Sequence, residues 1–327
     1  MRSRAHHLLS MVVFSILAIA LLPSATHAQQ LWFNMTNYNM PNGVDGPQGW
    51  NKLFVEPNAP WPEFMNHVQV VAAAGIWQTL DTVLAKAFSK LNQHHIPFAM
   101  ETLAQSWVHQ PECGHGVEGY YDPPGARKTA EKIKAAGGEL AYVAMDEPLW
   151  YGHYYSGPNA CRSDINNVAE RAAAIIAEYK KVFPNVVVID IEPFPAITDQ
   201  PGWQNDYRRW MQAFNQATGM PIKALHVDIN WGHANWQQSL RETVRFAQDA
   251  TLPIGIIYNG DTHNDHGTSE GWLASAVDNF TVIERRMGIH PAQAIFHSWD
   301  KFPTHSITDN TGPGEDWLVK QYLQQHP

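Results

Sequence analysis

Residues 186–191 read Val186-Val187-Val188-Ile189-Asp190-Ile191, and residues 222–229 read Ile222-Lys223-Ala224-Leu225-His226-Val227-Asp228-Ile229, with a helix-period stretch at 205–217 between them. Strands made of near-continuous β-branched and aliphatic residues are buried on both faces, which is the habit of parallel sheets. Parallel neighbours need a long crossover, and an amphipathic helix supplies it. The unit recurs along the chain. Further strands are predicted at 31–34, 68–73, 97–101, 140–145, 253–258 and 294–297, and further helices at 80–91, 126–136, 165–183, 236–250, 271–287 and 315–323. Asp164 is placed to cap the 165–183 helix and Pro184 to stop it. Only the first strand lacks a clear helix behind it, its loop being rich in Pro, Gly and Asn. Eight such units predict a single α/β domain of the (β/α)8, TIM-barrel type, whose usual size is about 250 residues plus insertions. An open doubly wound sheet would carry a glycine-rich phosphate turn after its first strand, and Phe33-Asn34-Met35-Thr36-Asn37 is not one.

The 327 residues include 22 Lys+Arg against 31 Asp+Glu, a formal charge of −9, with 44% hydrophobic content. Apolar content is ample for a core, which excludes a disordered chain. The acidic balance without a basic run excludes a nucleic-acid partner. Arg2 and Arg4 precede an apolar run at 8–22, and Ser24-Ala25-Thr26-His27-Ala28 offers a small-residue cleavage site. That run is shorter than the ~20 residues a spanning helix needs, so residues 1–28 are predicted to be a secretory signal peptide. Residues 29–327 then form the barrel, secreted or periplasmic and free of the membrane after cleavage. In an oxidising compartment the only two cysteines, Cys113 and Cys161, are expected to pair, tying the loop after strand three to the loop after strand four.

In barrels of this type the reactive groups sit at the carboxyl ends of the strands. Here those ends carry Glu101, Asp146-Glu147-Pro148, Asp190-Ile191-Glu192-Pro193, His226-Val227-Asp228-Ile229-Asn230-Trp231, Tyr258-Asn259 and His297-Ser298-Trp299-Asp300. Carboxylates on buried strands are costly unless paired or used. The chain also has 13 Trp, 13 Phe and 11 Tyr, and Trp77, Trp231 and Trp299 are among those at or just after strand ends. Paired carboxylates do the work of glycoside hydrolysis, and exposed aromatic faces give sugar rings an apolar platform. The expected ligand is therefore a carbohydrate, with no cofactor. Glu147 is expected as general acid/base, with Glu192 or Asp228 as the second carboxylate. Glu101, Asp146, Trp231, Tyr258, Asn259 and Trp299 are expected to bind substrate. Asp190 and His226 lie two residues before Glu192 and Asp228 and so share their faces, one layer deeper.

Met145-Asp146-Glu147-Pro148 resembles the Asn-Glu-Pro at strand four of clan A glycoside hydrolases, whose glutamate is the acid/base, and Trp299 is similar to the tryptophan closing their strand eight. Clan A carries its nucleophile glutamate at the end of strand seven, where this chain reads Tyr258-Asn259-Gly260. Adjacent Asp146-Glu147 also resembles hexosaminidases of families 20 and 123, in which the substrate's acetamido group attacks, and Asp190-Ile191-Glu192 resembles the tail of the family 18 chitinase motif. Cys113-Gly114 and Gly116-Val117-Glu118-Gly119-Tyr120, with the Met-Asp-Glu-Pro strand, are similar to a group of exported bacterial proteins that implies no particular activity. Two other classes compete: a catalytically silent carbohydrate-binding barrel, suggested by strand seven, and a metal-dependent hydrolase. The densest histidine clusters, His94-His95 and His263-Asn264-Asp265-His266, match neither a His-x-His first strand nor HExxH, and no metal ligand is assigned. The oligomeric state is left open.

Overall fold

The computed structural model describes residues 29–36, 46–57, 61–261, 263 and 266–326. The expected signal peptide lies outside them. Eight parallel strands close into a barrel in chain order. They are β1 (Gln30–Asn34), β2 (Val70–Ala73), β3 (Phe98–Leu103), β4 (Leu140–Asp146), β5 (Val187–Phe194), β6 (Ile222–Ile229), β7 (Ile254–Tyr258) and β8 (Gln293–His297). Closure is made by β8 against β1, with Asn34 beside His297 at the carboxyl end. The (β/α)8 expectation holds.

The helices are α1 (Gly46–Trp50), α2 (Asp81–Gln93), α3 (Pro123–Ala135), α4 (Ile165–Val182), α5 (Trp203–Thr218), α6 (Trp236–Asp249), α7 (Ser269–Thr281) and α8 (Glu315–Gln325). Among the described residues none is long and apolar enough to cross a membrane. The first unit does have a helix, a short one that the Pro/Gly-rich loop conceals. The helix predicted to run to 287 ends as α-helix at Thr281 and continues as a π-helical turn, Val282–Arg286, where the Met287 N–H donates to the Val282 carbonyl (2.9 Å). Asp164 caps α4 as expected, accepting from the N–H of Asn166 (3.0 Å) and of Asn167 (3.2 Å), and Thr268 caps α7, accepting from that of Gly271 (3.0 Å).

Two apolar layers result. Inside the barrel lie Trp32, Val70, Ala72, Ala99, Ala144, Ile189, Ile191, Ala224, Ile257 and Ile295. The larger cluster fills the space between strands and helices, with α4 contributing Ile165, Val168, Ala169, Ala172, Ile175, Ile176 and Tyr179 at helical spacing. Successive strand residues face opposite sides, so the inner layer assigns every strand a parity. Positions 99, 101 and 103 of β3, 142, 144 and 146 of β4, 187, 189 and 191 of β5, and 224, 226 and 228 of β6 point inward. That parity decides which polar residues reach the mouth.

Cys113 and Cys161 form a disulfide. The loop it anchors is also gripped from below by Arg171 of α4, fully buried, which donates to Gln110 Oε1 and to Tyr120 Oη (3.0 Å). In the same loop Gly119 has φ +86°, and a β-carbon there would lie 2.9 Å from the Tyr151 side chain. Glycine thus lets the loop press against the segment after β4.

Candidate active site

At the carboxyl ends of the strands a cleft of about 410 Å³ opens, and five carboxylates face it: Glu101, Glu118, Asp146, Glu147 and Asp228. Trp77 (45% exposed) and Trp299 (36% exposed) line the same cleft and present open ring surface. A second lobe of about 280 Å³ adds Trp231, Asn259, Asp261 and Asp300, and shares Asp228 and Trp299 with the first. Inside it the Trp231 Nε1–H donates to Asn259 Oδ1 (2.5 Å).

Glu147 follows the last residue of β4 with φ +48°, a left-handed conformation unusual for a side chain larger than glycine. Pro148 disfavours the right-handed helical region for the residue before it, which accords with this excursion. The backbone is held there from both sides: the Glu147 N–H donates to the Ile191 carbonyl and its own carbonyl accepts from the Tyr151 N–H, both at 3.0 Å. Strain of this kind persists only where surrounding contacts over-determine it, and it gathers at functional sites.

No described residue hydrogen-bonds the carboxylates of Asp146, Glu147 or Asp228. Their proton affinities rise accordingly. Burial first, then the charges of Asp146, Asp228, Glu192 and Glu118, push Glu147 well above the usual carboxylate range. Burial, followed by Glu101, Glu118 and Asp228, does the same to Asp146. Asp228 is pushed up to about 7 by burial and by Glu101, Asp300 and Glu118.

On the cleft floor Asn34 Nδ2 donates to Glu101 Oε2 (2.5 Å) and lies 3.1 Å from His297 Nδ1. Burial lowers the proton affinity of His297 against the opposing pull of Glu101, which favours the neutral imidazole. His226 sits one layer below Asp228, its Nε2 2.7 Å from Gln293 Oε1 and its ring edge-on to Trp32. Burial brings it down to about 4. Gly255 makes room for it, since a β-carbon there would lie 2.5 Å from His226 Cδ2.

Two expectations are corrected. Glu192 does not face the cleft. With Asp190 it has the outward parity of β5; Asp190 accepts from Tyr207 Oη (2.6 Å) and Trp210 Nε1 (2.8 Å), both on α5. Glu192 is fully buried, and its two oxygens accept from the backbone N–H of Leu149 (2.7 Å) and Trp150 (3.0 Å). It pins the turn that carries Glu147, a positioning part rather than an attacking one. Tyr258 likewise points outward, fully buried, its hydroxyl donating to Glu284 Oε1 (2.6 Å). Replacing Glu192 with Ala leaves two buried N–H groups unpaired, and chemical denaturation is expected to show a loss of about 3 kcal/mol. An unchanged midpoint would remove the clamp.

The structure brings Glu101, Asp146, Glu147, Asp228 and Trp299 to one cleft and Trp231 and Asn259 to its second lobe. The sequence reading gave no role to Asn34, Glu118, Tyr151 or His297. Glu118 lies in the loop after β3, distant in sequence from any strand end, where Tyr151 Oη donates to its carboxylate (2.7 Å). Asn34 and His297 end paired strands, and that position was the available signal. Of the two histidine clusters, His94-His95 stays apart, His94 being stacked on Trp61, whereas His263 of the other lines the second lobe, its Nδ1 3.1 Å from Asp261 Oδ1. Among the described residues no group of three or more His, Cys, Asp or Glu is arranged to hold a metal ion.

No protein-family model matches the sequence, and no curated protein matches it. Solved structures do. A GH10 endoxylanase retrieved from a sugarcane soil metagenome is 12% identical, aligned over 90% of this chain and 96% of that one with a TM-score of 0.50. Xylanase 10B from Thermotoga maritima is 13% identical over 91% and 95%, with a TM-score of 0.49. A GH86 protein in complex with neoagarooctaose is 14% identical over 91% of this chain, which spans only 58% of that one, with a TM-score of 0.47. These neighbours are glycoside hydrolases, and at such identities the likeness is one of fold.

Proposed function

We propose that this chain is an exported glycoside hydrolase, with residues 29–327 as its catalytic barrel, that cleaves an oligo- or polysaccharide. The observation that carries the reading is the set of Asp146, Glu147 and Asp228, with no protein hydrogen-bond partner among the described residues, in a cleft flanked by the open faces of Trp77 and Trp299. Glycosidic cleavage needs one carboxyl group protonated and one ionised at the same pH. Glu147, held at the strained turn after β4 with its proton affinity raised well above the ordinary range by burial and by neighbouring carboxylates, is the acid. It delivers its proton to the leaving oxygen as the bond from that oxygen to the anomeric carbon breaks. Asp228, across the mouth on β6, is the second carboxylate, which either bonds to the anomeric carbon or takes the proton of the attacking water. Asp146 and Glu101 accept hydrogen bonds from sugar hydroxyls. The aromatic faces hold the rings in register, and Glu192 fixes the turn from which Glu147 projects.

The adjacency of Asp146 and Glu147 supports a second route for N-acetylated substrates, in which the acetamido oxygen attacks, Asp146 orients the amide and Asp228 serves binding alone. Reducing-end assays across neutral, acetylated and amino glycans test the proposal. Release of new reducing ends from at least one glycan is expected. Tight binding without release from any of them would make the barrel a carbohydrate-binding protein instead.

A further inference from the structure

Hydrolysis takes two carboxylates, and this mouth holds more. Beyond Glu147 and Asp228 the first lobe holds Glu101, Glu118 and Asp146, and the second Asp261 and Asp300. No lysine or arginine lines either lobe among the described residues. Like charges confined in a poorly solvated cleft repel one another, and the arrangement is unfavourable unless the occupant compensates it.

Beneath the carboxylates the floor is closed by Asn34. Asn34 is 3% exposed and lies on the inward face of β1. Its Nδ2 is engaged by Glu101 and His297, both cleft residues, while its Oδ1 is buried and no described donor reaches it. The cleft thus offers carboxylate acceptors, and its rim offers Trp77 and Trp299, whose faces attract cations as well as sugar rings.

We infer that the substrate is a cationic glycan, a hexosamine polymer at least partly lacking its N-acetyl groups, with an ammonium group seated among Glu101, Glu118 and Asp146. An ammonium supplies the positive charge that the carboxylates lack and N–H donors for acceptors the protein leaves open. Uronic-acid or sulfated glycans would add negative charge to a site whose described lining has no lysine or arginine to meet it. The inference rests on the glycosidase reading for its chemistry and on the cleft alone for its binding claim, so the two can fail separately.

The test is a calorimetric titration of the folded Glu147→Gln protein at mildly acidic pH. The ligands are de-N-acetylated glucosamine and galactosamine oligomers, their N-acetylated counterparts and oligogalacturonate, and hydrolysis of the same panel by wild type is measured in parallel. Amino oligomers are expected to bind at least about tenfold more tightly than the acetylated ones. Their affinity should fall several-fold between about 0.02 and about 0.5 M salt. Oligogalacturonate should not bind. Glu118→Gln should weaken amino oligomers about fivefold and more than it weakens acetylated ones, as loss of one charge contact of about 1 kcal/mol does. Equal or tighter binding of acetylated oligomers, salt-independent affinity, or no binding of amino oligomers overturns the inference. Preferential amino binding with no hydrolysis of any glycan leaves it standing and overturns the glycosidase reading.

Discussion

Glu147→Gln is expected to lower kcat on an unactivated glycan by about 10²–10⁴-fold, the usual contribution of a positioned general acid, with little change in the unfolding transition. The amide keeps the shape of the carboxyl group but has no acidic proton to give. Two further readouts separate this role from simple misplacement. An aryl glycoside whose leaving group needs no protonation should lose far less than the natural linkage. The alkaline limb of the wild-type pH profile, set by deprotonation of the raised Glu147 carboxyl, should disappear in the variant. Equal losses on activated and unactivated substrates would assign Glu147 to binding.

Asp228→Asn is expected to abolish turnover to about the same extent while making the protein more stable. In the folded chain the Asp228 carboxyl sits at about 7 against an ordinary value of 3.8. Between those two pH values the native state holds a proton that the unfolded state has released, so stability falls as pH rises through this window and stays reduced above it. Each pH unit of such a shift corresponds to about 1.4 kcal/mol. Asp228 keeps part of its water, so a gain of about 2 kcal/mol is expected, or roughly 4–6 °C in Tm at pH 8. Variant and wild type should converge below about pH 4. A variant that melts lower than wild type at pH 8 would show that the Asp228 carboxylate stabilises the fold, which the unpaired geometry contradicts.

Strands were legible because β-branched runs such as Val186 to Ile191 have few alternatives in a chain with this rhythm. Which face a strand residue takes was harder to read, for the same reason. A strand buried on both sides shows no alternation of apolar and polar residues. Nothing in Val187-Val188-Ile189-Asp190-Ile191-Glu192 says that Ile189 and Ile191 face the barrel axis and Asp190 and Glu192 the helices. Tyr258 fell to the same ambiguity, whereas Asp228 and His226 happened to have inward parity. Residues brought in by loops, such as Glu118, carry no periodic signal. The Cys113–Cys161 bridge was legible from the cysteine count, whereas Arg171 reveals its grip on the same loop only in the folded chain.

The most direct measurement of the central claim, that Glu147 and Asp228 act on one glycosidic bond, is azide rescue of Asp228→Gly on an activated glycoside. Removing the side chain opens space beside the anomeric carbon. Hydrolysis is expected to be lost and added azide to restore turnover, with a glycosyl azide as the product. Wild-type hydrolysis by Asp228→Gly, with no azide adduct formed, would contradict that claim.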